Sequence, residues 1–262
     1  MKTYVALTIA GSDPSGGAGI QADLKTFHQR GVYGTSVLTL LTVQNTQRVS
    51  ALEILSTEIV SAQLQAVLED IPPAAAKTGA LGSYDIVRLI AEKARDFHFP
   101  LVVDPVMISK HGQPLMTKQA RAALAELLLP RAFLITPNLH EAGELAHMPV
   151  HDLDAMKEAA TRIAALGAGA VLVKGGHLEG DAVDLLYWQG EYVCYRSPRI
   201  STANTHGTGC TYSACITAEL AKGRNLKDAV QIAKKYITRA IETNPGLGQG
   251  SGPVNHHALI DE

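Results

Sequence analysis

Cys210 stands next to last in the run Asn204-Thr205-His206-Gly207-Thr208-Gly209-Cys210-Thr211, and a small-residue apolar stretch, 212–221, follows at once. Gly207 and Gly209 free the backbone for a tight turn, and the stretch beyond them reads as a helix. A helix that starts at such a turn offers unpaired N–H groups and the positive end of its dipole to an anion. A thiol at that point sits where a thiolate would be stabilised. An anion cradle beside a base is the equipment for phosphoryl transfer to an alcohol. Two other readings of Cys210 stay open. It could be a small buried residue, the common fate of cysteine, or a nucleophile with His206 as its base, although no third orienting residue lies close by. Cys194 and Cys215 read as structural.

Other residues supply what such a transfer needs. Lys174, after an apolar strand and before Gly175 and Gly176, is placed to reach a transferring phosphate or is simply a lysine at a strand end. Asn138 and Glu141 stand three apart on the first turn of a helix. That spacing suits a Mg²⁺ held partly through water, and it equally suits a capping box. Asp104, ahead of Pro105, is a second candidate for Mg²⁺ or for orienting substrate. Gly17-Ala18-Gly19-Ile20-Gln21-Ala22 matches a loose dinucleotide fingerprint. The 11–16 loop is too long for that motif's tight turn, and Gln44 stands where an acidic ribose partner is expected. The better reading is a loop over a small substrate, with Asp23 or Gln44 bonding its ring. The plainer one is a Gly-rich connection with Asp23 as a first-turn acid. No Gly-x-x-x-x-Gly-Lys-Ser/Thr loop occurs, nor a protein-kinase motif set, so an anion site falls to the 207–210 turn. The glycine-rich 246–252 stretch reads as a mobile cover.

The elements that must position these residues alternate along the chain. Short apolar runs at 4–10, 36–43, 74–77, 101–104, 133–136 and 170–174 read as buried strands, with helical periodicity between most of them. Gly31, Gly167 and Gly223 stand at helix C-caps. A late hairpin over 181–188 and 191–196 turns at Gln189-Gly190, and helices over 210–222 and 226–242 close the chain. This alternation predicts an α/β fold with a mainly parallel sheet covered on both faces, as a single domain over 1–262. The unusual residues fall just beyond the strand ends, where open α/β sheets bind ligands: Gly11-Ser12-Asp13, Gln44-Asn45, Thr78-Gly79, Asp104-Pro105, Pro137-Asn138 with Glu141, and Lys174-Gly175-Gly176-His177.

Composition narrows the function classes. The 262 residues are 46% hydrophobic and 18% charged, with net charge −2. Bulk electrostatics therefore gives no reason to expect nucleic acid or an anionic membrane. Three cysteines with no Cys-x-x-Cys pair fit a reducing cytosol. The 4–10 apolar run is too short to span a membrane, and the expectation is a cytoplasmic protein.

Taken together, these residues resemble the ribokinase superfamily, and within it the hydroxymethylpyrimidine/phosphomethylpyrimidine kinases of thiamine biosynthesis. The resemblance spans nearly the whole chain. It rests on the 6–13 and 16–23 segments, Gln44-Asn45-Thr46, Asp104-Pro105-Val106-Met107 and Thr136-Pro137-Asn138 with Glu141. Lys174-Gly175-Gly176-His177, the 205–211 run and Gly252-Pro253 complete it. It implies a three-layer α/β/α fold and two successive phosphorylations by ATP. Gln44 would bind the aminopyrimidine edge, with Gly11 and Asp23 lining the same pocket. Asn138, Lys174 and Gly209 would contact ATP, and Glu141 would hold Mg²⁺ through water. The 207–210 turn would form the anion hole, and Cys210 would act as base where most of the superfamily has Asp. Ala80 replaces a Met common in the family and leaves a roomier pocket wall. A homodimer is what the resemblance suggests. Pyridoxal/pyridoxine kinases are the nearest alternative, and a catalytically silent pyrimidine binder is the alternative from another class.

Overall fold

A computed structural model describes residues 3–110, 112–176 and 180–261. The strands are β1 (Val5–Ser12), β2 (Tyr33–Gln44), β3 (Val49–Ile54), β4 (Ala75–Thr78), β5 (Leu101–Val103), β6 (Leu134–Ile135), β7 (Ala170–Gly175), β8 (Ala182–Trp188) and β9 (Glu191–Ser197). They form one nine-stranded sheet in the order β3-β2-β1-β4-β5-β6-β7-β8-β9. The strands from β2 through β7 in that order run parallel, while β3, β8 and β9 are antiparallel additions at the two edges. The predicted 181–196 hairpin is present as β8 and β9. Its two turn residues, Gln189 and Gly190, both have positive φ (52° and 80°), which matches the right-handed strand twist. β3 was not foreseen. It pairs only with β2 and lies at the sheet edge, where its polar Ser50 and Glu53 meet solvent.

Successive residues of a strand point to opposite faces, and here each face has its own core. Leu7, Ile9, Val103, Ile135, Val171 and Val173 enter one core. Ala6, Val102, Leu134, Ala170 and Leu172 enter the other. Burial on both faces explains why these strands read as unbroken apolar runs. The helices α2 (Thr57–Asp70), α3 (Tyr84–Lys93), α4 (Lys118–Ala123), α5 (Leu139–Ala146) and α6 (Leu153–Ala165) cover the first face. The second is covered by α1 (Gly19–Gln29), α7 (Thr208–Ala221) and α8 (Leu226–Glu242). This is the three-layer α/β/α arrangement with a mainly parallel sheet.

The helix starts bear directly on function. In α2, α3, α4, α5, α6 and α8, a Ser, Thr, Asn or Asp side chain accepts an N–H of the first turn. In α1 and α7 no side chain does so. α7 starts instead from Gly207, in the left-handed conformation at φ 79°. Its residues from Thr211 to Ala221 are all buried, so it runs through the interior between α1, α8 and the sheet. Among the described residues, no helix is long and apolar enough to cross a membrane.

Candidate active site

The starts of the two uncapped helices open on one cleft of about 800 Å³ at the C-terminal edge of the parallel strands. Its walls include Gly11 after β1, Gln44 at the end of β2, Gly79 and Ala80 after β4, and Asp104 after β5. Asn138 and Glu141 enter from the start of α5, Lys174 from β7, and Gly207, Gly209 and Cys210 from the start of α7. Apart from Asp23, the structure therefore gathers every predicted site residue into one place.

The cradle is built by close backbone approach. A Cβ on Gly207 would lie 1.7 Å from the carbonyl oxygen of Gly17, so this position admits only glycine. Thr211 N–H donates to the Gly207 carbonyl at 2.8 Å. The amides of Gly209 and Cys210 are left without an intrahelical acceptor. Lys174 lies directly over this helix end: a Cβ on Gly209 would be 3.3 Å from its Nζ. Lys174 Nζ donates to Asp104 Oδ1 at 3.0 Å. Thr136 and Ser213 hydroxyls also donate to that carboxylate, at 3.2 and 3.3 Å. Burial works against the Asp104 carboxylate, but the ammonium groups of Lys174 and Lys77 outweigh it and hold its pKa below the ordinary value. Lys174 is pushed up, because Asp104 and Glu141 more than offset its own desolvation.

Glu141 has both of its predicted uses within reach. Its amide is capped by Asn138 Oδ1 at 2.9 Å, and its Oε2 accepts Asn138 N–H at 2.8 Å, a complete capping box. It is only 5% exposed, and burial pushes its pKa to about 7. Asn138 is tied to Lys174 by a parallel bridge, with Lys174 N–H donating to the Pro137 carbonyl at 2.8 Å. The α5 start and the Lys174 strand end thus move as one unit. Among the described residues, no group of three His, Cys, Asp or Glu side chains forms a metal cage.

Three expectations need correction. Asp23 does not line the cleft. It is fully buried beneath it, where Lys77 Nζ donates to both its oxygens at 2.8 and 2.9 Å and Thr8 Oγ1 donates at 2.6 Å. A carboxylate with no access to water needs such a partner, and burial still raises its pKa. Cys210 is not a stabilised thiolate in the free protein. Burial, with Asp23 and Asp104 nearby, pushes its thiol to about 12 despite Lys77 and the Gly19 N–H. The 246–252 stretch is not free along its whole length, and its residues are not among those lining the cleft. Gly250 and Ser251 N–H groups donate to Oγ1 and the carbonyl of Thr46, and Gly252 N–H donates to Asn204 Oδ1, which straps it to the rim. His177 of the Lys174 motif lies outside the described residues.

Several residues of the site carried little sequence signal. Lys77 could have been noticed, since a lysine closing an apolar parallel strand must find a partner. Asp184 and Lys234 could not. Lys234 Nζ donates to Asp184 Oδ2 at 2.7 Å, and Gly175 N–H donates to Asp184 Oδ1 at 3.1 Å, which pins the backbone next to Lys174.

The phosphomethylpyrimidine kinase family profile matches residues 13–255. A hydroxymethylpyrimidine/phosphomethylpyrimidine kinase of Bacillus subtilis (strain 168) is 44% identical over 99% of this chain and 97% of its own length. The enzyme of that name in Rhizobium meliloti (strain 1021) is 50% identical over 97% of each chain. Among solved structures, the ADP complex of a Bacillus subtilis pyridoxal kinase superposes with a TM-score of 0.92 at 43% identity, over 98% of both chains.

Proposed function

The chain belongs to the phosphomethylpyrimidine kinase family, and from this premise we propose the reaction its cleft performs. The protein transfers the γ-phosphoryl group of ATP to the hydroxymethyl group of 4-amino-5-hydroxymethyl-2-methylpyrimidine. It then transfers a second one to the monophosphate so formed, giving the diphosphate used in thiamine biosynthesis. The observation that carries this reading is the uncapped start of α7 at Gly207, with the Lys174 ammonium held over it by Asp104.

The roles follow from the geometry. Lys174 and the Gly209 and Cys210 amides receive the charge that spreads over the transferring phosphoryl oxygens. Asn138, locked to Lys174 through the backbone bridge, contacts ATP alongside it. Gln44 and Gly11 hold the ring. Cys210, in its thiolate form, takes the hydroxyl proton in the first transfer. The second acceptor is a phosphate oxygen that is already ionised and needs no base.

The donor set also suits Mg²⁺. Asp104 and Glu141 are two buried carboxyl groups beside the Lys174 ammonium, and burial, with Asp104 nearby, pushes the Glu141 pKa to about 7 despite that ammonium. Mg²⁺ is typically bound by one or two carboxylates plus substrate phosphates. Glu141, with Asp104, would hold it, and it would neutralise phosphate charge.

A homodimer through the β2–β3 edge is supported by Leu41 and Val43, which stand exposed opposite Glu53 and Ala51 of β3. Val43→Lys should then shift the protein to a monomer in light scattering. The reaction itself is tested by ADP release with Mg²⁺-ATP and three acceptors: the pyrimidine alcohol, its monophosphate and pyridoxal. Turnover with both pyrimidines supports the reading, and turnover with pyridoxal alone would replace it.

A further inference from the structure

Asp13 stands just past β1 at the cleft wall, and hydrogen counts decide what it can do there. Burial works against its charge, but hydrogen bonds from His206 and Ser15 outweigh that and hold the carboxyl below its ordinary pKa, so it is ionised. Its Oδ1 accepts the N–H and the hydroxyl of Ser15, at 2.9 and 2.7 Å. Its Oδ2 accepts the N–H groups of Gly17 and Ala18, at 3.2 and 2.9 Å. His206 Nε2 lies 2.7 Å from the same Oδ2, and both side chains are only 4% exposed. A carboxylate can only accept, so that nitrogen carries a hydrogen and donates it. Five donors therefore meet a group with about four lone pairs. An acid at this place in a phosphoryl-transfer cleft would be an obvious base or metal ligand. Asp13 has no accepting capacity left for either.

We propose that Asp13 and His206 form a clamp that sets the phosphoryl cradle at the start of α7, and that both act on the reaction through the Gly209 and Cys210 amides. The inference rests on the reading of the 207–210 turn as that cradle. His206 immediately precedes Gly207, so the first turn of α7 follows wherever His206 is held. Asp13 holds its ring. Its backbone N–H donates to the Gly252 carbonyl at 3.0 Å, and its carbonyl accepts Val254 N–H at 3.2 Å, in a parallel bridge to Pro253. Asp13 also holds the backbone that Gly207 rests against. The N–H groups it takes belong to Gly17 and Ala18, and the Gly17 carbonyl is the oxygen that a Cβ on Gly207 would strike. A Cβ on Gly17 would in turn lie 2.5 Å from Cδ2 of His206. One carboxylate thus fixes both sides of a contact that has no slack.

The cradle works on charge that develops in the transition state, so displacing it weakens transition-state binding more than substrate binding. Asp13 and His206 are therefore positioning residues. Loss of either should lower kcat in both phosphorylations alike and leave the KM values for ATP and pyrimidine in place. That pattern separates the clamp from other uses of the same two side chains. A base would matter for the alcohol alone, because the monophosphate acceptor is already ionised. A metal ligand would raise the Mg²⁺ concentration needed for half-maximal rate. A pair that only stabilises the fold would lower the melting temperature and leave the rate of the folded protein unchanged.

The test measures kcat, KM and Mg²⁺ dependence in both steps for Asp13→Asn, His206→Leu, their double variant and His206→Gln. Asn has the shape of Asp but one accepting oxygen, so no orientation of it serves all the donors. Asp13→Asn and His206→Leu should each lower kcat in both steps by about 10–100-fold, with KM values within about twofold of wild type. The double variant should be no slower than the slower single one, because both changes open the same clamp. His206→Gln should recover most of the rate, since its NH₂ can donate to Asp13. Affinity for a transition-state mimic, Mg²⁺-ADP with aluminium fluoride and the pyrimidine alcohol, should fall in step with kcat while ATP affinity holds. Wild-type rates in His206→Leu, losses that multiply in the double variant, a loss in Asp13→Asn confined to the alcohol, or a raised Mg²⁺ requirement would each overturn the clamp alone. A wild type that turns over neither pyrimidine would instead remove the reading beneath it. Nitrogen-15 NMR of the wild-type protein needs no variant to fold. It should find His206 protonated on Nε2, and a His206 whose only proton is on Nδ1 would overturn the inference.

Discussion

Raising the pH from 8 to 10 should speed the first phosphorylation about 100-fold and leave the second unchanged. The Cys210 thiol is pushed up to about 12 by burial and the neighbouring carboxylates, so the whole window lies below its pKa. Each unit then multiplies the thiolate by ten, from about one molecule in 10⁴ at pH 8 to about one in 100 at pH 10, worth about 2.7 kcal/mol of barrier. Glu141, Lys77 and Lys174 keep one charge state across that window. Glu141, at about 7, is ionised by pH 8. Lys77 and Lys174 are desolvated, but Asp23 and Asp104 outweigh that and hold both above the ordinary lysine value, so they stay charged. The acceptor in the second step is a phosphate whose second pKa is about 6, so it is anionic throughout. Single-turnover rates, with alcohol and monophosphate in separate experiments, isolate the chemistry from product release. Cys210→Ala should slow the first step by about 10²–10⁴ and abolish the part of the rise that thiolate supplies. A flat wild-type profile, a Cys210→Ala profile that keeps the hundredfold rise, or equal losses in both steps would each refute the base assignment.

Two further predictions concern the cradle, and one concerns the ion pair beneath it. Gly207→Ala places a methyl 1.7 Å from the Gly17 carbonyl at a φ of 79°, so both phosphorylations should fall by at least about 100-fold and the melting temperature should drop, at a cost of about 2–3 kcal/mol or more. Lys174→Ala removes the ammonium over the α7 start and should lower kcat by about 10²–10³, read against an unchanged pyrimidine KM. Lys77→Met strands Asp23 in the interior and should cost about 3–5 kcal/mol in urea unfolding, most of it recovered in the Lys77→Met/Asp23→Leu double variant.

The alternation of apolar runs and helical periods was enough to read the layered sheet, because strands buried on both faces leave an unbroken apolar signature. The same pattern marked the strand ends, and so the cleft, before any coordinates. The capping box at Asn138 and Glu141 was legible because it is written within four residues. What stayed hidden depends on distant pairing. Asp23 looked like a pocket residue, but its partner Lys77 lies 54 residues away. The Cys210 thiol looked activated from its place at a helix start, and only the three-dimensional burial and the carboxylates behind it reverse that. The 246–252 stretch looked mobile because it is rich in glycine. Its glycines instead permit contact: a Cβ on Gly250 would lie 2.1 Å from the Thr46 carbonyl oxygen. The Asp13–His206 pair spans 193 residues and joins two motifs that look independent along the chain.

The central claim is that one cleft phosphorylates the pyrimidine alcohol and then its own product. Phosphorus-31 NMR of a single reaction, holding the wild-type protein, Mg²⁺-ATP and the pyrimidine alcohol, follows both events at once. The account predicts that a monophosphate signal rises first and then gives way to a diphosphate, with two ADP formed per pyrimidine consumed. A monophosphate that accumulates and is never converted, at one ADP per pyrimidine, would contradict it.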